Sequence, residues 1–478
     1  MLGKPIMSVS ELLQAVENDD AVWDLYAKGM TVTLNQCDSE WATKLVSQYK
    51  PRNLAELAKF ISCLRPFFNS SRDTFIARSP YSTGSKYLDD VLKSSDGYIL
   101  FQESLMQYFE WLSIKPAESI GLIKKISKKK IKPEDFANLK ERLRQQWIAN
   151  TGSEDMFETT FQNIHDCMSY GFAAPHALAV AIDSLYGAYL KAHHPLEYYA
   201  VCLNNYVGDE ERTNRLTEEL SYFGITLKGI SFRYSGADYT IDRENNAIYK
   251  GIASLAYFGA SVAQKLFALR EQKLDNFIEF LELNPCDSRQ TIALIYLGYF
   301  SEFGKSQYLL NMYEDFKKFY HLKQIKSSDL KTYPSLFKDY GTFSPSGKTF
   351  YPTDIKTVLL EFAKTYPDKN IPIADRIRAE DEYLGRVEYV NPKAVGYGYI
   401  THIDLRYSPR LKIYLLATGK VEVFKMQRKA FDPGVIREGV LIKFKTKKEN
   451  KRYKKHDKWR IIPDEYETWI TEYKSCEV

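Results

Sequence analysis

Between His176 and Leu190 the chain offers so few polar positions that a helix there is expected to be buried nearly all round, as the spine of its domain. The stretch belongs to a longer helical pattern, 176–205, interrupted at Pro195. Upstream the apolar spacing is helical from Val9 to about Phe67, through Leu45, Leu54, Leu57, Ile61 and Leu64, broken at Pro51 and closed by Pro66. Further helices are expected over 98–112, 116–126, 133–150 and 155–168. At 478 residues the chain exceeds what one core usually organises, which calls for two to four domains.

The period changes downstream. A small α/β passage is expected between Thr213 and Ile241, and helices return over 248–322 with tight turns at Tyr257-Phe258-Gly259 and Leu297-Gly298-Tyr299-Phe300. Ser, Pro, Gly and Lys accumulate from Lys323 to Lys348, as in a linker or surface loop. Alternation then appears at Gly398–Thr401, Lys412–Leu416, Lys420–Phe424 and Val440–Phe444, which suits a small β-barrel. The fold class expected is α+β multidomain.

Charge is uneven although the net value is only +5. Residues 124–132 hold six lysines and no acid, and residues 441–460 hold ten Lys or Arg against Glu449 and Asp457. Triphosphate or nucleic-acid phosphate would offset such clusters, although a solvated charged turn is the commoner meaning of a lysine block read alone. His176, after Pro175 at a helix start, stands where amides and a ring could meet an anion together, or where a histidine simply caps or packs. His193-His194 are adjacent rather than four apart, so a packing role is expected over a metal site. Six scattered cysteines without a CxxC pair suggest core thiols, neither a disulfide framework nor a zinc site. No Walker loop, HExxH or catalytic triad is recognisable. Without an apolar run of about 18 residues or a secretory signal, the expected compartment is the cytoplasm.

Taken in order, the motifs resemble the bacterial C-family replicative DNA polymerase, the polymerase III alpha subunit, from the end of the palm through the fingers into the C-terminal region. Asn35-Gln36-Cys37-Asp38-Ser39 stands where the family has a segment close to FQLES, and Leu64-Arg65-Pro66-Phe67 where it has L-x-RPG. Asp96 to Gln107 resembles YGIxLYQEQVMQ and keeps Gly97, Leu100, Gln102, Glu103, Met106 and Gln107. Ile123 to Lys130 resembles LRRAMGKKK, with lysines for the arginines that meet the nucleotide's phosphates; lysine lacks arginine's bidentate fork. Tyr170 to Ala181 resembles YGFNKSHAAAYA with Ala173 and Ala174 in place of Asn and Lys, and Tyr189 to Ala200 resembles YLKAHYPxEFMA. Ile252 to Gly259 looks like the helix-hairpin-helix segment with Tyr257 at its first glycine, and the terminal strands resemble the family's OB-fold.

The resemblance implies connecting helices over 1–67, a mostly helical fingers domain over 68–212, an α/β segment with the helix-hairpin-helix over 213–322, a linker over 323–375 and an OB-like barrel over 376–478. It implies nucleotide binding by Lys124, Lys125, Lys128, Tyr170, Gly171, Phe172 and His176. DNA binding would fall to Tyr257, Gly259 and Ser261 on the duplex, and to Lys443, Lys445, Lys447, Lys451 and Arg452 on single strand. The family's three palm aspartates lie upstream of the segment matched here, so no catalytic residue is assigned and Mg2+ is expected only through a palm on a partner chain. The partners implied are DNA, dNTP and that palm-bearing chain, with a sliding clamp as a further candidate and no membrane. Three readings stand: the fingers and DNA-binding portion of a split polymerase, a non-catalytic DNA-binding replication modulator that has kept the fingers fold, or an inactive remnant.

Overall fold

The computed structural model describes residues 3, 5–127, 130–162, 173–330, 339–455 and 458–476, and side chains within these except at 67, 126–127, 210, 452–455 and 458–459. It is α+β, and divides into two compact units, residues 1–225 and 226–478.

The first unit is helical. Helices α1 (Val9–Val16), α2 (Asp20–Ala27), α3 (Glu40–Tyr49), α4 (Leu54–Cys63), α5 (Arg72–Ile76) and α6 (Lys86–Val91) lead to α7 (Gln102–Trp111), α8 (Pro116–Ser127) and α9 (Pro133–Thr151), then α10 (Ala174–His193), α11 (Pro195–Asn205) and α12 (Glu210–Leu220). Their ends follow local chemistry. Ser8 and Glu11 close a capping box on α1, and Ser39 and Asn53 accept backbone amides at the starts of α3 and α4. Pro133 opens α9 with Glu134 and Asp135 in its first turn, and Gly152 ends it at φ 79°. Residues 98–100 have no regular structure, Leu100 N–H donating to the Tyr98 carbonyl at 3.1 Å, and Phe101 is a bridge residue, so this helix starts four residues later than its periodicity suggests.

Helix α10 is the spine of this unit, but not in the way its composition implies. It packs on α4 and α2 through one stripe, Ala177, Ala181, Ser184, Leu185, Ala188 and Lys191, whereas Leu178 is 40% exposed and Ala179 and Asp183 also face out. Small residues satisfy a close helix–helix approach without needing apolar partners on every side. One core joins residues from Leu12 to Ala188, so the helices before residue 67 share it with those after.

The second unit opens with a sheet of β1 (Thr226–Lys228), β2 (Thr240–Asp242) and β3 (Ala247–Tyr249), in the order β1-β3-β2, with β1 parallel to β3. Gly251 follows because a Cβ there would lie 2.4 Å from the Asp238 carbonyl carbon. Helices α13 (Ala260–Leu269), α14 (Phe277–Leu283), α15 (Ser288–Tyr296) and α16 (Ser306–Phe319) form the next core.

Residues 323–375 are not a plain linker. Their described parts hold β4 (Ile325–Lys326), β5 (Gly341–Phe343) and β6 (Thr349–Pro352), sheet order β4-β6-β5, and α17 (Ile355–Ala363). Ile325, Phe350, Val358, Leu359 and Phe362 are buried in the core begun by α13 to α16. Polar composition hid five well-spaced apolar anchors. Helix α18 (Ile373–Leu384) then leads to the barrel.

Strands β7 (Tyr397–Asp404), β8 (Arg410–Leu415), β9 (Lys420–Met426), β10 (Leu441–Lys455) and β11 (Lys458–Ser475) close a five-stranded barrel in the order β10-β11-β9-β8-β7. Ile400, Ile413, Phe424, Ile442 and Phe444 fill it, as the alternation predicts, together with Leu411, Met426 and Ile470. Strand β11, 18 residues long, gave no comparable alternation in the sequence. Among the described residues no helix is long and apolar enough to cross a membrane.

Candidate nucleotide and nucleic-acid interface

The segment Asp96–Gln107 enters α7 through a turn that only certain residues allow. Asp96 has φ 57° and Gly97 φ 84°, and a Cβ on Gly97 would stand 3.2 Å from the Tyr81 carbonyl oxygen. Lys59 holds the Asp96 carboxylate at 2.7 Å, and Tyr98 stacks on Tyr81 at 4.4 Å between ring centres. Gln102 and Glu103 therefore occupy the first turn of α7, and Glu103 Oε2 accepts the Ala174 N–H at 3.1 Å. This hydrogen bond joins the Gln-Glu pair to the start of the helix that carries His176. It also alters the reading of that helix start: a carboxylate already sits on the amide that an anion was expected to use. His176 is exposed in the first turn.

Helix α7 also packs on α8, whose last turn carries Lys124 and Lys125, both exposed. Lys128, Tyr170, Gly171 and Phe172 lie outside the described residues. Thus α7 is the common neighbour of the lysine helix and the His176 helix, which are separated in sequence by residues 128–173.

Beneath this surface, motif residues hold one another. Arg65 donates to Gln36 Oε1 at 3.1 Å, and Asn35 donates to Asp183 of α10 at 2.7 Å. Burial pushes the Cys37 thiol up to about 12, so it packs rather than reacts. Lys191 is completely buried; its ammonium donates to the carbonyls of Met30 (2.9 Å) and Val32 (3.0 Å) and pairs with Glu219. Glu219 in turn accepts the Val32 N–H at 3.1 Å and the Tyr199 hydroxyl at 2.7 Å. Burial lowers the Lys191 pKa, while Glu219 opposes that shift. His193 meets Asp19 at 2.5 Å and packs on Tyr189, a structural role.

In the second unit Tyr257 adopts φ 68°, the left-handed conformation that a glycine would take without strain. Two residues of α15 support it: Arg289 lies 3.9 Å from the Tyr257 ring centre, and Gln290 donates to the Tyr257 carbonyl at 2.9 Å. Arg289 is itself held by Glu382 at 2.7 Å and by the Tyr383 hydroxyl at 3.3 Å. Gly259 precedes α13 with open space where a Cβ would be, and Ser261 is exposed in the first turn, which has no side-chain cap. Backbone amides there can meet an anion.

The basic run of β10 is partly neutralised by its own sheet. Lys445 pairs with Glu472 at 2.7 Å, Lys447 with Glu449 at 3.3 Å and Lys451 with Glu465 at 2.6 Å, while Lys443 lies 5.0 Å from the Tyr397 ring centre. Arg452 stands on β10 opposite Ile461, its side chain outside the described residues. The sequence reading did not single out Arg410 and Lys412, exposed on β8, or Tyr407, 78% exposed in the loop before it. Their signal was present only as alternation with the buried Leu411 and Ile413. Glu103 and Arg289 were also not singled out as site residues, since their partners are distant in sequence. Among the described residues no group of three His, Cys, Asp or Glu is placed to hold a metal.

Residues 9–151 match the family model described as the bacterial DNA polymerase III alpha subunit finger domain. Curated relatives include the DNA polymerase III subunit alpha of Ureaplasma parvum, 25% identical over 312 residues, covering 63% of this chain and 32% of the relative. That of Aquifex aeolicus is 27% identical over 295 residues (59% and 25%). That of Staphylococcus aureus strain Mu50 is 26% identical over 422 residues (85% and 36%). The matched region spans between a quarter and just over a third of these relatives' length.

Proposed function

We propose that this chain, whose residues 9–151 match the bacterial DNA polymerase III alpha subunit finger domain, grips the incoming dNTP and primer-template DNA beside a palm-bearing polymerase chain. The observation that carries this reading is the meeting at α7: Glu103 hydrogen-bonds the start of the His176 helix, and α7 packs on the helix bearing Lys124 and Lys125. Exposed ammonium groups there suit a triphosphate, which needs charge neutralisation and positioning before phosphoryl transfer. Tyr170, Gly171, Phe172 and Lys128 would complete the pocket.

No group of three His, Cys, Asp or Glu stands among the described residues to hold Mg2+. A palm domain on another chain would supply the carboxylates that hold Mg2+. DNA would meet the Gly259–Ser261 amides as duplex and the barrel's outer face as single strand.

A second reading is favoured by the Glu103 cap. With its carboxylate on Ala174, and Ala173 and Ala174 where the family has Asn and Lys, the chain would bind DNA as a replication modulator without selecting nucleotides. Primer-template affinity measured with and without dNTP separates the two. A gain with dNTP that disappears in Lys124→Ala/Lys125→Ala supports the first reading; salt-dependent binding indifferent to dNTP supports the second.

A further inference from the structure

The hairpin of β10 and β11 outgrows its barrel. Strand β7 pairs with β10 only over 441–443, and β9 with β11 only at Trp469 and Ile470. Beyond the Lys447–Trp469 pair, no third strand joins the ribbon among the described residues; its register shifts at a bulge between Asn450–Tyr466 and Arg452–Ile461, with 462–465 outside the ladder, and pairing then runs on to Lys455–Lys458. From Lys448 to Lys455 this is about 25 Å of two-stranded ribbon, at roughly 3.3 Å per residue.

Charge divides along it. The part nearer the barrel, 443–450 with 464–475, holds five basic and five acidic residues, several of them ion-paired. The outer part, 451–463, holds Lys451, Arg452, Lys454, Lys455, Lys458 and Arg460 against Asp457 alone, with Lys451 paired to Glu465 at 2.6 Å. Basic residues occupy positions on both strands there, in the pairs Tyr453–Arg460, Lys454–Trp459 and Lys455–Lys458. A single nucleic-acid strand presents one line of phosphates, whereas a groove presents two. The B-DNA major groove, about 12 Å wide, admits a two-stranded ribbon; the deep, narrow major groove of duplex RNA does not.

We infer that this ribbon is a duplex-DNA arm that lies in the major groove, its basic strands facing the two phosphate backbones. The inference deepens the DNA-binding part of the reading above and rests on it, but it needs no nucleotide. The test compares the full chain with Lys454→Glu/Lys455→Glu/Arg460→Glu, using anisotropy on a 20-base-pair DNA duplex, one of its strands and a duplex RNA of the same sequence. A Gln version of the triple variant serves if charge reversal prevents folding. Expected are a loss of tenfold or more for duplex DNA, a change below twofold for single strand, and a salt slope lower by roughly 2.7 for three lost phosphate contacts. Equal losses on single strand and duplex, no loss on either, or duplex RNA bound as tightly as duplex DNA by the unaltered chain would overturn it. A chain that ignores dNTP yet loses duplex affinity in the variant keeps the arm and rejects nucleotide binding. A dNTP-responsive chain whose duplex affinity is unchanged in the variant does the reverse.

Discussion

Replacing Lys191 by Met tests whether the first unit depends on its buried ion pair. The side chain has 0% exposure and Glu219 7%, so neither charge is solvated by bulk water. Met fills a similar volume but removes the donor to the Met30 and Val32 carbonyls and leaves the Glu219 carboxylate with the Val32 amide and the Tyr199 hydroxyl. Removing one partner of such a pair typically costs about 3–5 kcal/mol, because the other charge stays buried. For a cooperative unit of this size each kcal/mol corresponds to roughly 2–4 °C, so Tm of the first unit should fall by on the order of 10 °C in calorimetry. Adding Glu219→Gln to Lys191→Met removes the orphan charge and should recover about 1 kcal/mol or more. A single variant within about 1 kcal/mol of the parent, or a double variant as unstable as the sum of both singles, would refute the argument.

Other outcomes follow from the second unit. Tyr257→Val should cost about 1–2 kcal/mol, since a β-branched residue at φ 68° is strained, while Tyr257→Gly should stay within about 1 kcal/mol as relief of strain offsets the lost Arg289 contact; chemical denaturation reads both. Glu388 pairs with Lys250 and receives Arg386 at 2.7 Å; burial raises its pKa, but the two cations outweigh that and hold it below the ordinary value. A depressed carboxylate contributes stability above its unfolded pKa that is lost as pH falls through the folded one. Melting between pH 6 and 3 should therefore show a decline below about pH 4.5 that is shallower in Glu388→Gln. An equal decline in both would remove Glu388 from the explanation.

What the sequence made legible was periodicity and order. Alternation located β7 to β10 because barrel residues such as Ile413 and Phe444 alternate with exposed lysines, and the helices α8, α9, α10 and α11 follow their prolines. The misses share one cause: contacts between residues far apart in the chain. Phe350 and Phe362 anchor a polar stretch to a core begun near residue 230, which composition cannot reveal. Lys445 and Lys451 look like free phosphate binders until β11 brings Glu472 and Glu465 across from them. Lys191 stands in a motif segment but works as a buried strut, and Glu103 reveals its partner only when α7 meets α10. Arg289 supports Tyr257 from another helix, a pairing no spacing rule predicts.

In the proposed function a nucleotide would be held jointly by the helix bearing Lys124 and Lys125 and by the start of α10. The direct measurement is dNTP-dependent affinity for primer-template DNA by the full chain, compared with Lys124→Ala/Lys125→Ala at matched salt. Tighter DNA binding with dNTP is expected in the unaltered chain, and at least a tenfold weaker dNTP effect in the variant. Identical DNA affinity with and without dNTP, or a dNTP effect that persists undiminished in the variant, would contradict it.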